Sequence, residues 1–124
     1  MKALKTDKAP AAIGPYSQAI EVNGFVFASG QIPLNPATGE FVEGGIKEQT
    51  RQALNNAREI LRSAGLDLSN VVKTSVMLAD IKYFGEMNEV NAEFFNEPFP
   101  ARSAFAVKDL PKGALVEVEC IAAK

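Results

Sequence analysis

Ile46-Lys47-Glu48-Gln49-Thr50-Arg51-Gln52-Ala53-Leu54-Asn55-Asn56-Ala57-Arg58-Glu59-Ile60-Leu61-Arg62-Ser63-Ala64-Gly65 has one apolar side and one charged side, and the fold follows from that division. Ile46, Thr50, Ala53, Leu54, Ala57, Ile60, Leu61 and Ala64 recur at three- and four-residue steps, the spacing of a helix with a single buried stripe. Lys47, Glu48, Arg51, Asn55, Arg58, Glu59 and Arg62 fill the solvated side, and Gly65 supplies the stop. Upstream, Ser17 to Ile32 reads as two strands joined at Asn23-Gly24, the strongest short hairpin signal, followed by a turn-rich loop over 34–39. Downstream, Val71 to Leu78 is β-branched and reads as a strand. Tyr83 to Phe95 reads as a second helix, with Phe84, Met87, Val90 and Phe94 inward and Asn88 beside the apolar stripe. Strands follow over Arg102–Val107 and Leu115–Ala122; the link Lys108–Gly113 between them permits a hairpin without requiring one. With a short first strand over Lys2–Lys5, the order is β-β-β-α-β-α-β-β.

That order predicts an α+β domain spanning 1–124, with a mixed six-stranded sheet and two helices packed on one face. Two helices cover only one side of such a sheet. The other side stays bare unless copies of the chain bury it, so a homo-oligomer is expected.

Composition removes whole classes of chemistry. The chain has no histidine and one cysteine, so Ser-His-Asp and Cys-His catalysis and His- or Cys-rich metal centres are ruled out. A net charge of −2 argues against binding nucleic acid through phosphate neutralisation. No apolar run approaches a membrane span, and Met1 to Asp7 has no apolar signal core. The lone Cys120 fits a reducing, cytoplasmic setting. An enzyme built from this chain works with carboxylates, Arg, Lys, Tyr, Ser and backbone dipoles.

Two residues stand out against that background. Arg102 follows Pro98 and Pro100, which stiffen the entry to its strand, and a guanidinium can grip a planar carboxylate through two parallel hydrogen bonds. Glu117, fifteen residues later on another extended segment, can hold or deprotonate a water. The same residues also fit a plain surface ion pair of Arg102 with Glu117 or Glu119, which would contribute little. If Glu117 lies near Arg102, burial raises its pKa and the cation lowers it.

Several spaced motifs, in one order, resemble the RidA (YjgF) family of reactive-intermediate deaminases. They are Ala12-Ile13-Gly14-Pro15-Tyr16-Ser17-Gln18-Ala19, Phe27-Ala28-Ser29-Gly30-Gln31-Ile32-Pro33, Met87-Asn88 with Phe94-Phe95, Phe99-Pro100-Ala101-Arg102-Ser103, and Leu110-Pro111-Lys112-Gly113-Ala114-Leu115-Val116-Glu117-Val118-Glu119. The resemblance implies a chorismate-mutase-like fold and a homotrimer with clefts between subunits. It assigns substrate-carboxylate binding to Arg102 and the attacking water to Glu117. Tyr16, Ser29, Gly30, Asn88, Ser103 and Ala104 would line the same cleft. It further implies cofactor-free and metal-free hydrolysis of 2-imino acids, such as 2-iminobutanoate and 2-iminopropanoate formed from 2-aminocrotonate and 2-aminoacrylate, to 2-keto acids and ammonia. A keto-acid-binding regulator or a stress holdase without turnover is the alternative. RNA cleavage, also associated with the family, fits poorly with an acidic chain lacking histidine. Two positions depart from the family pattern. Ala104 stands where cysteine is frequent, which excludes a thiol nucleophile there, and Asn91 stands where an aromatic is common, which alters packing around Asn88.

Overall fold

Asn23 and Gly24 both take positive φ, 50° and 80°, in the tight turn whose twist suits a two-residue hairpin. In the computed structural model, which describes residues 1–124, the chain runs β1 (Lys2–Leu4), β2 (Ala19–Val22), β3 (Phe25–Gln31), α1 (Ile46–Arg62), β4 (Val71–Leu78), α2 (Phe84–Phe94), β5 (Ala101–Ala106) and β6 (Val116–Ala123). These elements match the expected order, with ends shifted by at most about two residues. One six-stranded sheet has the order β1-β2-β3-β6-β4-β5. All neighbours are antiparallel except β4 and β5, which are parallel.

This order resolves what the Lys108–Gly113 link left open. β5 and β6 do not pair; β4 lies between them. β6 also inserts between β3 and β4, running antiparallel to both. The crossovers β3–α1–β4 and β4–α2–β5 therefore step the same way across the sheet. Right-handed crossovers stepping one way put both helices on the same face, so the two-layer α+β arrangement follows from topology.

The buried positions of β6 are Val116, Val118, Cys120 and Ala122, and those of β4 include Thr74, Val76 and Leu78. They meet Ala53, Leu54, Ala57, Ile60 and Leu61 of α1 and Met87 and Val90 of α2 in one apolar cluster. The alternate positions point the other way and meet no helix. Phe25, Phe27 and Phe105 there keep 42%, 44% and 46% of their surface exposed, so the sheet has the bare face expected of a chain that associates with its own kind.

Candidate active site

The register of the sheet decides where each predicted residue points. Arg102 is paired with Thr74, and Thr74 with Cys120; both partners are buried under the helices. The Arg102 side chain therefore leaves the helix-covered face at the sheet's outer edge. Its Nη1 donates to Asn88 Oδ1 on α2 at 2.6 Å, and its guanidinium carbon lies 5.3 Å from the centre of the Phe84 ring. The acceptor and the aromatic face fix the fork while leaving other N–H donors free. Arg102 forms no ion pair, because Glu117 and Glu119 leave the opposite face of the sheet two strands away. The surface pairing that the sequence alone allowed is not made.

Glu117 sits between buried Val116 and Val118 and points to the bare face. It rests on Gly30: a Cβ added there would run into the carboxylate, with Cδ only 2.9 Å away. A side chain at this position would push the Glu117 carboxylate aside, so glycine here leaves that carboxylate its place. The stretch Ser29-Gly30 coincides with the irregularity in β3–β6 pairing between Ala28 and Gln31. It is tied to the preceding loop because Ser29 N donates to Gln18 O at 2.9 Å and Ser29 Oγ to Ser17 O at 2.6 Å. Tyr16, next to Ser17, stays 55% exposed. Burial, and then the like charge of Glu119, push the Glu117 carboxyl above its ordinary value. The lowering influence expected from Arg102 is absent within one chain.

The candidates on the sheet and on α2 therefore fall into two groups on opposite faces. Ser29, Gly30 and Glu117 share one side, where Ser103 also points and accepts from Lys73 Nζ at 2.8 Å, with Tyr16 in the loop tied to Ser29. Arg102, Asn88 and the half-buried Ala104, which packs against the core, share the other. Cys120 belongs to neither group: burial first, and then Glu119, push its thiol up to about 12, so it has no nucleophilic thiolate.

Arg102 and Asn88 stand at a cleft of about 440 Å³ that is lined also by Thr74, Asn91, Phe95 and Phe99. Thr74 and Phe84 were not among the residues picked out from the sequence. A polar residue in the buried phase of Val71-Val72-Lys73-Thr74-Ser75-Val76-Met77-Leu78 was the available signal for Thr74. Phe84 was read only as an inward apolar residue.

Known proteins resemble this chain in both sequence and backbone. A profile of the family described as endoribonuclease L-PSP matches residues 6–124. A Mus musculus protein named 2-iminobutanoate/2-iminopropanoate deaminase is 51% identical over 121 residues, covering 98% of this chain and 90% of its own length. The crystal structure of RidA from an Antarctic Psychrobacter superposes with a TM-score of 0.96 at 44% identity, with both chains covered completely. That of E. coli TdcF with bound serine superposes with a TM-score of 0.94 at 39% identity, covering 100% of this chain and 99% of TdcF. Matched along nearly its whole length in both sequence and backbone, the chain belongs to the RidA family, the group described as endoribonuclease L-PSP.

Proposed function

We propose that this protein hydrolyses small 2-imino acids, 2-iminobutanoate and 2-iminopropanoate, to 2-keto acids and ammonia, and that it does so between two subunits of a homotrimer. The observation that carries the reading is Arg102: a guanidinium with no carboxylate partner, oriented by Asn88 and Phe84 at the mouth of a cleft. Such a fork suits a substrate carboxylate. The names of close relatives support the substrate class, and the serine bound to TdcF is itself a small carboxylate-bearing molecule.

Glu117 is the base. It takes a proton from water as the oxygen bonds to C2 of the imine, giving a carbinolamine. Glu117 then returns that proton to the nitrogen as the C–N bond breaks and ammonia leaves, and its freed carboxylate takes the hydroxyl proton of the carbinolamine as C2 becomes a ketone. A protonated imine is already a strong electrophile, so positioning and one proton transfer suffice, the latter typically adding about 10²–10⁴-fold.

Because Arg102 and Glu117 leave opposite faces of one sheet, a substrate can touch both only if a second copy presents its bare face to the first. Burial of Phe25, Phe27 and Phe105 would drive that association. In this arrangement Ser29, Gly30 and Glu117 of one subunit, with Tyr16 in the loop beside them, face Arg102, Asn88 and Ala104 of the next. The inert, buried thiol and the absence of any helix long and apolar enough to cross a membrane fit a cytoplasmic enzyme.

The test is ammonia release from 2-iminobutanoate and 2-iminopropanoate generated in situ, with no added metal or coenzyme. The protein should accelerate it, and equal rates with and without protein would overturn the reading.

A further inference from the structure

Behind the Arg102–Asn88 pair lies a second polar layer that the proposed hydrolysis does not use. Thr74 is the register partner of Arg102 on the next strand inward, and Asn91 lies one helical turn beyond Asn88 on the same side of α2. Thr74 is 1% exposed and Asn91 8%, yet Thr74 Oγ1 and Asn91 Oδ1 have no hydrogen-bond partner. Both residues line the same cleft as Arg102, whose walls include Ala92, Phe95 and Phe99. Buried polar atoms are normally paired, and two unpaired oxygens, sealed at rest on residues that line one cleft, gain a partner when those side chains turn towards a polar group that fills it.

We propose that Thr74 and Asn91 form a side-chain subsite that selects 2-imino and 2-keto acids with a hydroxyl or amide in the tail over purely aliphatic ones. The inference rests on the reading of Arg102 as the carboxylate clamp, which places the tail. With the carboxylate on the guanidinium, the tail runs inward towards Thr74, on the strand next to that of Arg102, and towards Asn91, one helical turn beyond Asn88. Asn91 Oδ1 accepts from a tail O–H or N–H, and the Thr74 hydroxyl can donate or accept. The apolar walls cover the intervening methylenes.

Calorimetry on the intact protein with 4-hydroxy-2-oxobutanoate and 2-oxopentanoate, which have equal numbers of non-hydrogen atoms in the tail, tests this. The hydroxy acid should bind about three- to tenfold tighter, the range of one or two net hydrogen bonds. Thr74→Val, close to isosteric, and Asn91→Leu should each pull the ratio towards one while leaving 2-oxopentanoate affinity within about twofold. Thr74→Ser, which keeps the hydroxyl, should preserve the ratio. Equal affinities in the unaltered protein, or a ratio unmoved by Thr74→Val and Asn91→Leu, would overturn the subsite and leave ordered water as the partner of both atoms. Ammonia release from 2-iminobutanoate, measured on the same preparation, separates that outcome from failure of the deaminase reading: turnover without tail preference overturns the subsite alone.

Discussion

On the proposed mechanism, Arg102 and Glu117 should fail differently when altered. Arg102→Ala removes the proposed counter-charge for the substrate carboxylate, a loss typically worth about 2–5 kcal/mol, so 2-oxobutanoate affinity measured by calorimetry should fall well over tenfold. Arg102→Lys should recover only part of it, because a point charge cannot reproduce the two-pronged grip or lie flat on Phe84. Unchanged affinity in Arg102→Ala would refute the clamp. Glu117→Gln should keep binding and lose rate. Burial and the like charge of Glu119 both raise the Glu117 pKa above 4.5. As a base it works deprotonated, so kcat should rise with pH through that raised value. Glu119→Gln removes one raising influence and should move this acid limb to lower pH. A limb that stays in place would mean that Glu117 is not the titrating base.

Longer-range support for the site comes from a polar side chain on the buried side of α1. Asn56, 1% exposed, donates to Ile32 O at 3.1 Å and Leu34 O at 2.9 Å and accepts from Gln52 at 2.8 Å, pinning the segment that follows Ser29-Gly30. Asn56→Ala leaves two carbonyls without their donor and should cost about 2–4 kcal/mol by urea unfolding. A loss under about 0.5 kcal/mol would mean that water replaces the amide at little cost. Asn56 also marks where sequence reading stopped. The α1 stripe from Ile46 to Leu61 was legible because apolar side chains repeat at helical spacing, and the Asn23-Gly24 hairpin because its turn demands particular residues. Asn56, Gln49 and Asn91 are polar by type and buried by context, with neighbours or partners distant in the chain, so their residue type did not announce their burial. The insertion of β4 between β5 and β6 was equally hidden, since a six-residue link fits either arrangement. Recognising Arg102 and Glu117 by their motifs therefore did not reveal that they leave opposite faces of the sheet.

On the proposed reading, those opposite faces make the active site a property of the assembly. A monomer holds each half of the site but never both together, and the exposed Phe25, Phe27 and Phe105 supply the apolar area for association. Mixing two inactive variants tests this most directly. Arg102→Ala subunits keep Glu117, Glu117→Gln subunits keep Arg102, and the two are unfolded together at equal amounts, refolded and assayed for ammonia release from 2-iminobutanoate. If each site takes Arg102 from one subunit and Glu117 from the next around a closed ring, random assembly makes about one quarter of the sites intact, and activity should return to roughly that fraction of the unaltered protein. If both residues act from one chain, no mixed assembly contains an intact site, and activity that stays at the level of the separate variants would contradict the shared active site.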